Sequence, residues 1–122
     1  MVLVDYKTLE NPQKREVVKA FLIEHLISHP DTLITVLNAE WDAQPVMTKT
    51  SLKGWAFPFD GLAVNPLTLE VPPITFKTMF AASVSEKAEH KVVLVIDDEM
   101  EALTMWKNFG VVFTLSPEVK AA

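Results

Sequence analysis

The stretch from Lys91 to Glu99 constrains this chain more than any other. Five consecutive apolar residues, Val92 to Ile96, four of them β-branched, run straight into the adjacent carboxylates of Asp97 and Asp98. A continuous apolar run of this length predicts a strand buried on both faces, the signature of a central parallel strand. The acidic pair then falls at the strand's C-terminal end, where open α/β sheets place their ligands. Carboxylates crowded at such an edge repel one another, and a divalent cation is one way to neutralise them. The plainer alternative is that Asp97 or Asp98 caps the following helix. That helix is predicted from Met100 to Phe109, with Gly110 as its stop.

The rest of the chain repeats the alternation of strand and helix. Val2-Leu3-Val4 predicts a first strand ending at Asp5, a second carboxylate at a strand end. Asn11-Pro12 reads as an N-cap followed by proline at the first helical position. Val17, Val18, Phe21, Leu22, His25 and Leu26 then follow helical spacing, with Lys14, Arg15, Glu16 and Lys19 on the polar side, until His29-Pro30 ends the helix. Thr32 to Asn38 predicts a second strand, Thr48 to Trp55 a short helix stopped at Gly54, and Phe57 to Val64 a third strand. Asn65 to Pro73, with three prolines, predicts a surface loop. A second amphipathic helix lies within Pro73 to His90, with Phe76, Met79, Phe80 and Val84 on one side. Val111 to Leu115 forms the last strand, and Ser116 begins a polar tail. This order implies a parallel sheet with right-handed crossovers and helices on both faces.

Bulk properties narrow the function. A length of 122 residues, 49% hydrophobic and 22% charged, fits one soluble domain spanning residues 1–122. The net charge of −5 argues against general nucleic-acid binding. With no cysteine, disulfides and thiolate metal sites are excluded. His25 and His29 stand i, i+4 without a third ligand, so solvated histidines are expected rather than zinc. No apolar run is long enough to span a bilayer. The N-terminus lacks a basic region and a small-residue cleavage site, so a cytoplasmic location is expected. Trp106, beside Met105 and Phe109, is expected in the core, as are Met79 and Phe80. Trp41 and Trp55, if exposed, would mark a binding or oligomer surface. Taken alone, Lys77 reads as an exposed helix lysine.

With these polar residues at these strand ends, the chain resembles the haloacid dehalogenase-like (HAD) superfamily from Val2 to Leu115. It is most similar to short, capless members such as those of bacteriophages and polynucleotide phosphatase domains. The resemblance implies a small Rossmann-like three-layer α/β domain of about five parallel strands without a cap domain. It also implies that Asp5 is the nucleophile, that Asn38 takes the place of the phosphoryl-binding serine or threonine, and that Lys77, with Lys53 as fallback, is the basic residue holding phosphate and nucleophile together. Asp5, Asp97 and Asp98 would hold magnesium. The pattern departs at Lys7, where the family carries an aspartate that acts as general acid and base. An ammonium there would stand beside the carboxylates and replace the cation's charge. Two functions follow: a degenerate HAD-like domain, viral in kind and resident in the host cytoplasm, that binds a protein partner or forms a homo-oligomer; and a magnesium-dependent phosphohydrolase using Asp5. A response-regulator receiver shares the acidic pair but needs its phosphorylated aspartate and lysine well downstream, and only 24 residues follow Asp98.

Overall fold

The computed structural model describes residues 1–85, 92, 94–109 and 114–115. Strands β1 (Val2–Asp5), β2 (Ile34–Asn38), β3 (Gly61–Val64), β4 (Leu94–Ile96) and β5 (Thr114–Leu115) lie in the order β3-β2-β1-β4-β5, and every pairing is parallel. The helices are α1 (Tyr6–Leu9), α2 (Pro12–Ser28), α3 (Pro45–Gly54), α4 (Pro73–Ser85) and α5 (Met100–Asn108). The result is a Rossmann-like α/β fold. After β3 the chain returns past β1 to the other side of the sheet, so strand order reverses between β1 and β4. A crevice opens outside the C-terminal ends of the strands at such a reversal.

Residue alternation along β1 explains why one strand can serve two cores. Val2 and Val4 point to one face, packing with Val18, Leu22, Leu52 and Phe57. Leu3 points to the other, packing with Ala81, Ala102 and Trp106. Helices α2 and α3 therefore cover one face and α4 and α5 the other, which gives three layers.

Most predicted elements are present, and the differences have local causes. Helix α3 starts at Pro45, earlier than Thr48, because a proline at the first helical position costs no hydrogen bond. The strand predicted from Phe57 narrows to Gly61–Val64. Phe57 instead turns into the core, and Asp60 accepts a hydrogen bond from the Ile34 backbone N–H at 2.8 Å. Gly61 fits closely there, since a Cβ would stand 3.2 Å from Thr35 Oγ1. The 65–73 loop is not wholly superficial: it contains a 3₁₀ turn (Leu67–Leu69), and buried Asn65 donates to the carbonyls of Ala39 and Val71. Met79, expected in the core, is exposed, whereas Phe76 and Val84 are buried. Gly110, Val111 to Phe113 and the tail from Ser116 lie outside the described residues.

The polar side of α2 also packs against its surroundings. Asn11 caps the helix, its side-chain oxygen accepting from the N–H groups of Gln13 and Lys14. Arg15 stacks over Trp55 at 4.3 Å, and Lys19 donates to the Trp55 carbonyl. Trp55 in turn stacks on Tyr6. Asn11→Ala should lower stability by about 1 kcal/mol in chemical denaturation, the usual cost of a lost N-cap.

Candidate functional site

The reversal in strand order brings the two carboxylate-bearing strand ends together. Asp5 ends β1, and Asp97 follows β4, its immediate neighbour in the sheet. Between them lies the ammonium of Lys77 from α4, with Nζ 3.2 Å from Asp5 Oδ1 and 2.8 Å from Asp97 Oδ2. All three residues are buried. Lys77 is thus not the exposed helix lysine that its local sequence suggests. Lys53, the fallback, is exposed on α3.

Each carboxylate is held by further donors. Asp5 is the N-cap of α1, and its Oδ2 accepts from the backbone N–H and the hydroxyl of Thr8 at 3.2 and 3.1 Å. The Thr8 hydroxyl also lies 3.0 Å from Asp98 Oδ1. A hydroxyl carries one proton, so it serves these two oxygens alternately or with a proton held on one of them. Asp97 Oδ1 accepts from the Glu99 N–H, and Asp98 Oδ2 pairs with Lys14 Nζ at 2.6 Å. At Asp5 helix capping and the buried charge cluster thus use the two oxygens of one carboxylate.

The electrostatics follow from burial and charge balance. Burial raises the pKa of Asp5, against the charge of Lys77 and the hydrogen bonds from Lys77 and Thr8. Burial, then the charge of Asp5, pushes Asp97 up to about 6, with Lys77 and the Glu99 N–H opposing. For Lys77 the largest influence, burial, disfavours the ammonium, but the combined pull of Asp5 and Asp97 outweighs it and raises the pKa. Asp98 differs. Burial also works against its charge, yet hydrogen bonds from Lys14 and Thr8 hold its pKa below the ordinary value. Asp5, Asp97 and Asp98 oppose Lys77 and Lys14, so the cluster retains an excess of negative charge when all are ionised.

The structure corrects the expectation for Lys7. Its side chain is 58% exposed and pairs with Glu40 at 3.1 Å. Lys7 follows Asp5 on a helical turn, and that turn swings its long side chain outward toward the loop after β2. The ammonium among the carboxylates belongs to Lys77, with Lys14 on the outer aspartate. Thr8 and Lys14 are site residues that the sequence reading missed. The spacing of Asp5 and Thr8 fits an N-cap and its third helical residue, but nothing local links Lys14 to an aspartate 84 positions away.

Asn38 lies at the end of β2, beside the strand that carries Asp5. It is buried, and its amide nitrogen donates to Thr48 Oγ1 at 2.9 Å. An amide nitrogen carries two N–H donors, so this bond uses half of its capacity. With Tyr6, Glu40 and Thr48 it lines a cavity of about 210 Å³ at this edge of the sheet. The Asp5, Asp97 and Asp98 oxygens approach within 4.8 Å of one another. Opposite ligands of a magnesium ion stand roughly 4.2 Å apart and those of calcium slightly further. Three hard oxygen donors this close together could in principle hold a divalent cation, beside the Lys77 ammonium that bridges two of them. His25 and His29 stack ring on ring at 4.5 Å, at the opposite end of the sheet.

No protein-family model, curated protein or solved structure matches this chain.

Replacing Lys77 by methionine leaves two buried carboxylates without their cation and should cost about 3–5 kcal/mol in urea denaturation near neutral pH. The pH dependence has a definite sign. Between the ordinary carboxyl value of 3.8 and about 6 the folded protein holds a proton on Asp97 that the unfolded chain releases. This contribution to stability is full below 3.8 and is lost as the pH rises through about 6. Thermal melting across that interval should show the loss, and Asp97→Asn should remove this component.

Proposed function

We propose that this chain is a capless HAD-like phosphohydrolase that takes magnesium at Asp5, Asp97 and Asp98 and transfers the phosphoryl group of a monoester first to Asp5. The observation that carries the reading is the Lys77 ammonium bridging Asp5 Oδ1 and Asp97 Oδ2 at the point where strand order reverses. Lys77 is thereby positioned to orient the Asp5 carboxylate and to neutralise charge on an incoming phosphoryl group. The excess negative charge of the cluster supports a divalent cation, which would supply Lewis-acid stabilisation of the phosphoryl oxygens. Asn38 and Tyr6, the residue that follows Asp5, line a neighbouring cavity from which the ester would have to reach Asp5.

The degenerate reading rested on Lys7 in two ways: it stands where the family carries its acid/base aspartate, and it was expected among the carboxylates. Its pairing with Glu40 removes only the second, and the ammonium between the carboxylates is that of Lys77. The chain passes directly from β1 into α1, and α3 and the 3₁₀ turn are the only helical elements between β2 and α4 among the described residues. A capless site would admit large substrates, such as phosphorylated macromolecules. A partner-binding role has its own observation. Trp41, Val46 and Met47, exposed by 53, 77 and 69%, stand on the segment that borders the cavity. Apolar exposure of this kind suits a protein partner or substrate, or a second copy of the chain.

Purified protein should hydrolyse p-nitrophenyl phosphate when magnesium is added, and Asp5→Asn should reduce turnover to background. Magnesium should also raise the melting temperature of the wild type by more than that of Asp97→Asn. Turnover that persists in Asp5→Asn would rule out the nucleophile, and absence of both turnover and magnesium-dependent stabilisation would leave the partner-binding role.

A further inference from the structure

Hydrolysis of an aspartyl-phosphate needs a base to take a proton from the attacking water. Lys7, two residues beyond Asp5, cannot do this as an ammonium. The residue it holds can. Glu40 lies just beyond the end of β2, and its carboxylate meets Lys7 Nζ at 3.1 Å. Its own backbone N–H donates to Asn38 Oδ1, which ties it to the strand end beside β1. Glu40 and Tyr6, the residue that directly follows Asp5, wall the same cavity. Its side chain is 27% exposed, open enough to exchange a proton with solvent.

We propose that Glu40 is the base that activates water for release of phosphate from Asp5, and that Lys7 is the positioning residue that holds its carboxylate at the cavity wall. This assignment rests on the phosphohydrolase reading above. In the step, the water oxygen bonds to phosphorus, and the bond between phosphorus and the Asp5 carboxylate oxygen breaks. Asp5 recovers its carboxylate, inorganic phosphate departs, and the water proton passes to Glu40 and then to solvent. The earlier transfer from a p-nitrophenyl ester needs no proton, because the phenolate leaves as an anion. The two half-reactions are therefore separable.

The test compares wild type, Glu40→Gln, Glu40→Asp and Lys7→Met, with p-nitrophenyl phosphate and magnesium. Rapid mixing follows release of nitrophenolate, and intact-protein mass spectrometry follows the phosphorylated enzyme. Glu40→Gln should give a burst of nitrophenolate matching the enzyme concentration, then a steady state slower by about 10²- to 10⁴-fold. It should also accumulate a stoichiometric phosphoenzyme. Glu40→Asp should recover part of the steady-state rate, and Lys7→Met should slow it without affecting the burst. A steady-state rate in Glu40→Gln equal to that of wild type overturns the assignment of Glu40 alone. Equal loss of the burst and of the steady state in a Glu40→Gln protein of unchanged melting temperature also overturns it, since that marks a structural role. Failure of wild type to form any phosphoenzyme or turn over any ester overturns the assignment together with the reading beneath it.

Discussion

A single ammonium shared by two buried carboxylates is the interaction on which the rest of this structure depends. Lys77 reaches from α4, on one face of the sheet, to the ends of two neighbouring strands. Burying any one of these charges alone would be prohibitively costly, and burying them together is tolerable only with close contacts and further donors. Those donors are present: Thr8 on Asp5, the Glu99 N–H on Asp97, and Thr8 with Lys14 on Asp98. The cluster therefore links α1, α2 and α4 to the ends of β1 and β4. Such a linkage adds less stability than its Coulomb attraction alone, because desolvation of the buried charges opposes it.

The same linkage shapes the chemistry. Two carboxylates sharing one cation have raised pKa values, while the outer Asp98, supplied with its own lysine and hydroxyl, has a lowered one. The site thus holds inner groups that accept a proton readily and an outer group that stays ionised. A divalent cation entering among them would displace that proton. Residues around the cluster divide into those that hold the carboxylates and those that border the neighbouring cavity. Glu40 belongs to the second group, and its pairing with Lys7 holds that lysine away from the buried carboxylates.

Much of this was legible in the sequence because it is local. Apolar runs such as Val2 to Val4 and Leu94 to Ile96 mark buried parallel strands whatever surrounds them, and Asn11-Pro12 marks a helix start by the chemistry of orphan N–H groups. Carboxylates immediately after two such strands point to a common edge once the sheet is known to be parallel. The less legible features depend on packing. Met79 follows the helical period of Phe76 and Phe80, but the covering layers decide which part of a helix is buried. The long polar side chains of α2 read as a solvated face, although Arg15 and Lys19 lie against Trp55 and Lys14 reaches Asp98.

Lysine shows the division most clearly. The sequence by itself determined the alternating α/β pattern, the strand ends at Asp5 and Asp97, and the need for positive charge near them, because backbone propensity and charge repulsion act over a few residues. Local pattern did not determine which lysine answers that need, although the family resemblance pointed to Lys77. Lys7 is near in sequence, but the helical turn after Asp5 carries it outward to Glu40. Lys77 is remote in sequence, yet the packing of α4 brings it between the two strand ends. That choice belongs to the tertiary structure, because a charge responds to distance through space and not along the chain.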